Sequence, residues 1–346
     1  MDVPTAHGRP PATGRIRVEP EDFQVEEQIG FEPDGAGGHL LLLVEKRGAN
    51  TGWVAAQLAR AAGVHPRDVG YSGQKDRHAV TRQSFSVPWP VAAPVDPCLE
   101  YSGAGFRVLA AARHGRKLRP GSHRGNRFRI RVRDLVGDPA DIGARMLQIA
   151  AAGVPNYFGP QRFGRDGANL ARARDWAQRG SAPRDRAQRS FALSAARSRL
   201  FNDVLADRVR RGDWDQLLPG EAVMLDGRRS FFLADAIDAT LQERCQRLDV
   251  HPSGPLWGRN ASPASGEALR IEEGVVACEP GLRALLESAG LEHERRSLRL
   301  PVRCLEWQVG DGDLTLAFEL PRGTFATAVL HEVLFDAWDA ADGGED

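Results

Sequence analysis

Eight residues place the strongest constraint on how this chain folds. From Asn126 to Arg133 it reads Asn-Arg-Phe-Arg-Ile-Arg-Val-Arg, a strict alternation. In a strand successive side chains point to opposite faces, so Asn126, Phe128, Ile130 and Val132 share one side and Arg127, Arg129, Arg131 and Arg133 the other. The first side packs on a core. Asn126 and Phe128 stand at its leading end, where a core face becomes the floor of a cleft. The arginine side is either a solvated sheet face or a phosphate track, and spacing alone leaves both open.

This strand ends the most uneven charge run in the chain. Between Arg113 and Arg133 there are nine Lys or Arg and no acid, although the whole chain balances 46 basic against 46 acidic side chains. The imbalance is local, and a local acid-free run suits a phosphate backbone. With 42% apolar and 27% charged residues over 346 positions, the chain has the composition of a globular protein large enough for two domains. Cys98, Cys245, Cys278 and Cys304 are scattered without a C-x-x-C pair, which argues against zinc or a disulfide framework. The N-terminus lacks the basic start and apolar stretch of a signal peptide. No segment approaches the roughly 20 apolar residues of a membrane span, so the expected location is the cytoplasm.

Along the chain, residues 1–14 read as a loose arm rich in Pro and Gly. Arg15–Val18 and Phe23–Glu27 alternate as two short strands, and His39–Glu45 is an apolar run expected to be buried on both faces. Asn50 or Thr51 caps a helix that Gly63 stops. Pro139–Ala152 is a second helix, with Ile142, Met146 and Ile149 on one face. The Gly- and Pro-dense stretch 154–164 carries aromatics, amides and Arg162; it reads equally as a hinge and as a surface for stacking and reading bases. Beyond Gly167 the pattern turns helical. Phe191, Ala195, Leu200, Phe201, Leu205 and Val209 form a core stripe within Arg186–Arg211. Strand patterns return at Ser297–Cys304 and Asp313–Leu320, followed by a helix near Thr324 with Phe325 in its first turn. The acidic, Gly-rich residues 340–346 are expected to be disordered.

One short stretch carries the chemistry. In Gly70-Tyr-Ser-Gly-Gln-Lys-Asp-Arg-His-Ala79, Asp76 lies between Lys75 and Arg77, in a chain with three lysines among its 46 basic residues. By itself that is an acid in a cationic setting at the end of a turn. If the segment is fully extended, both neighbours point away from the carboxylate, and its partner has to come from elsewhere in the chain.

Taken together, the motifs resemble the TruD family of tRNA pseudouridine synthases. They are Glu19-Pro-Glu-Asp-Phe23, Gly73-Gln-Lys-Asp-Arg-His-Ala-Val-Thr81, Gly125-Asn-Arg-Phe128, Val154-Pro-Asn-Tyr-Phe-Gly159, Gln161-Arg-Phe-Gly164, Ser190-Phe191 with Leu193-Ser-Ala-Ala-Arg197, and Gly323-Thr-Phe-Ala-Thr327. The resemblance implies an α+β chain: a pseudouridine-synthase catalytic domain, a mixed sheet flanked by helices, from residues 1–151 and 301–346, with an α/β TRUD domain inserted at 152–300. A cleft between them would hold tRNA. It implies cofactor-free and metal-free isomerisation of uridine 13 by a monomeric enzyme. Asp76 takes the carboxylate role, and Phe23, Asn126, Phe128 and Phe325 contact the extruded nucleoside. Arg17 falls where relatives carry a lysine, and it is the best candidate partner for Asp76 should both sequence neighbours point away. Lys75, Arg77, Lys117, Arg127, Arg129 and Arg162 are candidate RNA-binding cations. Whether Asp76 attacks the ribose, attacks the base or assists glycal formation is not written in residue types. Two other classes fit parts of the pattern: a non-catalytic RNA-binding or RNA-folding protein, and a nucleoside hydrolase using Asp76 with His78.

Overall fold

The computed structural model describes residues 3–234 and 236–335. The tail 340–346, expected to be disordered, lies outside the described residues. Two compact units divide the chain. One, the sheet unit, holds 14–136 and 303–323; the other, the helical unit, holds the described parts of 1–13, 137–302 and 324–345.

The chain enters the sheet unit through β1 (Ala12–Arg15) and β2 (Phe23–Gln28). It continues through β3 (His39–Arg47), α1 (Thr51–Ala62), β4 (Gly70–Tyr71), β5 (Val80–Pro88), β6 (Ser102–Gly103), β7 (Phe106–His114) and β8 (Gly125–Gly137). The sheet is mixed: β2 runs parallel to β5, whereas β3 pairs antiparallel with β5 and β7, and β2 pairs antiparallel with β8. The apolar run of β3 lies between two neighbours with Leu40, Leu42 and Val44 fully buried on one face, whereas on the other Leu41 is buried and Leu43 only half-buried, so the expected burial on both faces is incomplete. The Asn50 side chain accepts from Gly52 N to start α1, and Gly63 ends it in the left-handed conformation. The first strand falls earlier than Arg15–Val18. Arg17 has φ 58°, a left-handed turn that an extended strand cannot continue.

The helical unit follows in order: α2 (Pro139–Ala152), β9 (Val154–Pro155), α3 (Ala168–Arg179), α4 (Arg186–Arg211), β10 (Ala222–Leu225), β11 (Phe231–Leu233), α5 (Ala239–Gln246), β12 (Val250–His251), β13 (Ser253–Leu256), α6 (Gly266–Val276), α7 (Pro280–Ser288), β14 (Glu294–Ser297) and β15 (Arg299–Leu300). The chain then returns to the sheet as β16 (Arg303–Gly310) and β17 (Asp313–Pro321), and ends in the helical unit with α8 (Ala326–Val333). Strand order in the large sheet is β16-β17-β8-β2-β5-β3-β7-β6. Among the described residues, the mixed sheet and eight helices give the expected α+β fold.

Four local expectations change. The strand expected at Ser297–Cys304 is three pieces, separated by Leu298 and by Pro301-Val302, and Cys304 has φ 49° at a register shift between Arg303 and Glu306. Phe191 leaves the α4 stripe and is 57% exposed, while Ala195, Leu200, Phe201 and Leu205 are fully buried. Phe325 is the extended residue before α8 rather than part of its first turn. The N-terminal arm is pinned, not loose. Buried Glu332 accepts from Ala6 N and His7 N, Arg145 donates to the carbonyls of His7 and Arg9, and Tyr157 donates to Pro4 O. Those partners lie more than a hundred residues away in sequence, so composition could not reveal them. Among the described residues no helix is long and apolar enough to cross a membrane.

Candidate active site

The site grows out of the register of three strands. On the inner face, Phe23 of β2 stands opposite Ile130 of β8, Val25 opposite Phe128, and Glu27 opposite Asn126. On the other side of β8, Leu316, Phe318 and Leu320 of β17 complete the same three layers. Phe128 stacks on Phe318 at 5.4 Å and meets Phe23 edge-on at 6.2 Å. The face therefore runs from an apolar floor to a polar end at Asn126 and Glu27. Asn126 is 9% exposed, and its Oδ1 has no hydrogen-bond partner among the described residues, an acceptor left open at the polar end.

Asp76 lies in an irregular segment between β4 and β5, and its backbone is held by buried side chains. Gln83 donates to Gly73 O, Lys75 N donates to Thr51 Oγ1, and Thr51 donates in turn to Gln83 Oε1. Lys46, fully buried at the end of β3, donates to Ala49 O at 2.8 Å, Asp76 O at 2.7 Å and Lys75 O at 3.3 Å. Burial pulls the Lys46 ammonium down to about 8, against the favourable charge of Asp76. None of Lys46, Thr51 and Gln83 stands out in the sequence as a site residue. Lysine scarcity is the available signal, since Lys46 and Lys75 are two of only three.

Side-chain contacts around the carboxylate are equally specific. Arg17 Nη2 lies 2.8 Å from Asp76 Oδ2, and His78 N donates to Oδ1 at 2.9 Å. The Arg17 guanidinium also covers the Phe23 ring at 4.4 Å, while its Nε is buried without a hydrogen-bond partner among the described residues. Arg17, Phe23 and Asp76 thus form one contact chain, with Phe23 only 4% exposed beneath it. Lys75 turns the other way and pairs with the fully buried Glu27 at 2.9 Å. It is 7% exposed, so its charge is committed inside the protein and does not reach a surface phosphate. His123, also buried, lies beside this pair, and burial and then Lys75 lower its pKa. Among the described residues no three His, Cys, Asp or Glu side chains gather as a metal site.

The outer face corrects the impression of a purely basic patch. Arg127 pairs with Glu319, Arg131 with Asp313, and Arg133 with Glu19 and Asp22. The acids come from β17 and from the turn before β2, so the run is acid-free in sequence but not in space. Arg129 is exposed and makes no ion pair among the described residues. Lys117 is exposed and donates to Arg67 O; Arg77 is exposed.

Arg162 and Phe325 belong to the helical unit. Arg162 lies over the rings of Phe158 at 5.1 Å and Phe325 at 5.7 Å and donates to Ser194 Oγ. Burial lowers the Arg162 pKa. With Gln161, Asn169, Ser194 and the exposed Phe191, they line a recess of about 420 Å³. Tyr157, Phe158 and Phe163 are buried, so in the 154–164 stretch these three rings pack the core and leave Gln161 and Arg162 to line the recess.

Known proteins resemble this chain over nearly its whole length. The sequence profile of tRNA pseudouridine synthase D (TruD) matches residues 5–171 and 168–333. The chain is 50% identical over 330 residues to a protein of Nitrosococcus oceani named tRNA pseudouridine synthase D, covering 94% of this chain and 92% of that one. A protein of the same name from Methylococcus capsulatus is 50% identical over 341 residues, covering 96% and 94%. The crystal structure of a putative tRNA pseudouridine synthase D from Methanosarcina mazei superposes with a TM-score of 0.71 at 20% identity, over 96% of this chain and 95% of that one, a likeness of fold. With a matching profile over nearly its full length and relatives at half identity, this chain belongs to the TruD family of tRNA pseudouridine synthases.

Proposed function

We propose that this protein isomerises uridine 13 of tRNA to pseudouridine with Asp76 as its catalytic carboxylate, without a cofactor, as a cytoplasmic monomer. The observation that carries the reading is the contact chain Phe23–Arg17–Asp76, which holds a partly exposed carboxylate beside an aromatic floor. The reaction breaks the bond between N1 of uracil and C1′ of ribose, turns the base, and forms a bond from C5 to C1′. A proton leaves C5 and one returns to N1, so the product has the mass of the substrate. On each route the carboxylate must be anionic and within reach of the nucleoside. Arg17 supports the anion by charge, and the 22% exposure of the Asp76 side chain leaves an approach for the substrate.

In this reading the extruded base lies over the floor that Phe23 and Phe128 build, and the open Oδ1 of Asn126 accepts a hydrogen bond from it. Phe325 is proposed as a ring for stacking on bases, and Arg162 and Arg129 as cations for the RNA backbone. The domain assignment we adopt remains a catalytic part of 1–151 and 301–346 around an insertion of 152–300. The test is incubation with unmodified uridine-containing tRNA, followed by digestion and chromatography. A nucleoside of unchanged mass and altered retention at position 13 is expected. Release of free uracil would identify a hydrolase, and an unchanged tRNA a binding protein.

A further inference from the structure

A buried lysine whose three N–H bonds all end on backbone carbonyls is an uncommon arrangement, because an ammonium in the interior is costly to desolvate. Here the carbonyls are those of Ala49, Lys75 and Asp76. Two belong to the segment that carries the carboxylate, and the third to the turn before α1. Lys46 is therefore a staple between the end of β3 and the Asp76 segment. We propose that Lys46 is a positioning residue for Asp76, its charged side chain fixing the backbone on which the carboxylate stands, so that the rate of isomerisation follows its protonation.

The mechanism follows from the number of donors. An ammonium offers three N–H donors, which matches three carbonyls; a neutral amine offers two, and its lone pair then faces the third carbonyl oxygen. Loss of the proton therefore releases one of the three ties and loosens Lys75-Asp76. Burial already lowers the pKa of Lys46 to about 8, so this release falls at mildly alkaline pH. Among the groups facing it, Asp76 favours the charge and Lys75 opposes it; Glu27 stands behind Lys75 and Arg17 across Asp76. From α1 and β5 come Thr51, Thr81 and Gln83, which do not titrate. The neighbours Glu45 and Arg47 are paired with Arg82, Arg107 and Glu21 instead.

This proposal rests on reading Asp76 as the catalytic carboxylate, so its test has one arm that needs no turnover. In the RNA-free protein, amide exchange over residues 73–78 should be about tenfold faster in Lys46→Met than in wild type, with β8 unchanged. In the other arm, the wild-type single-turnover rate should fall about tenfold between roughly pH 7 and pH 9 along a single ionisation, at nearly constant tRNA affinity. Lys46→Met should be slow throughout and lack that step; Lys46→Arg should move it beyond the range. Thr51→Val, which loosens the segment without touching the charge, should keep it. Unchanged exchange at 73–78 overturns the positioning role whatever the turnover. A wild-type rate that is flat across the range overturns the link to protonation, as does the same alkaline step in Lys46→Arg, which decides the matter should Lys46→Met not fold. Faster exchange with no wild-type turnover on any tRNA overturns the reading of Asp76 and leaves the staple standing.

Discussion

Arg17 is the residue whose replacement speaks most directly to the site. It bears three separable effects: a charge pair with Asp76 at 2.8 Å, a guanidinium over the Phe23 ring at 4.4 Å, and a left-handed backbone at φ 58°. The side chains are 11% and 22% exposed, so the pair is screened only in part. A charge-assisted contact of this kind contributes about 2 kcal/mol, and the ring contact about 1 kcal/mol. Against them stands a buried Nε with no partner, whose removal returns about 1 kcal/mol. Arg17→Met should therefore cost about 2 kcal/mol of stability. Arg17→Gly loses the same contacts but relieves the left-handed strain, worth about 1 kcal/mol, and should melt above Arg17→Met. Catalysis should not share that difference. If the support of the anion carries through to the transition state, about 2 kcal/mol is a roughly 30-fold loss of single-turnover rate, the same in both variants. Arg17→Lys keeps the charge without the planar fork and should lie between them and wild type. The assays are denaturant melts and single-turnover isomerisation of unmodified tRNA. An Arg17→Met rate within threefold of wild type would refute the coupling of Arg17 to Asp76, and Arg17→Gly melting below Arg17→Met would refute the strain argument.

Asp76→Asn retains the acceptor for His78 N and should fold and bind tRNA within about threefold of wild type while making no product; product above background removes Asp76 as catalyst. Arg129→Ala should lower the slope of log affinity against log salt by about one phosphate contact, whereas Arg127→Ala should change it less because Glu319 already offsets that charge. Equal effects from the two would show that the Arg127–Glu319 pair opens on RNA. His293, tilted at 58° against the Trp257 ring, is pulled down to about 4 by burial, then by Arg295 and Arg197. The unfolded chain takes up this proton near the ordinary value of 6.5, so stability is lost as pH falls from there towards 4, by about 2 kcal/mol after allowance for solvent. His293→Phe keeps the ring contact and should flatten that part of the curve in melts across this range; parallel curves for the two proteins would show that the loss arises elsewhere.

Much of this protein is legible in local pattern alone. The alternation at Asn126–Arg133 dictates a strand with one buried face because the pleat repeats every two residues, and Asn50 and Gly63 bound α1 because its start needs an acceptor and its end a left-handed exit. The motif around Asp76 is likewise legible, because it is a run of neighbouring residues. Most relations between distant charges, by contrast, needed tertiary structure. The arginines of β8 look unopposed until β17, entering the sheet more than 180 residues later, brings Glu319 and Asp313 across from them. Lys75 looks like an exposed partner for Asp76 until the parallel pairing of β2 with β5 sets Glu27 beneath it. Arg17, the candidate that the family resemblance offered, is the partner because a left-handed turn, invisible to periodicity, carries its side chain across Phe23 to the carboxylate. Secondary structure follows short-range sterics and so can be read along the chain; the partner of a buried charge is chosen by through-space electrostatics and is decided only when the strands are in register.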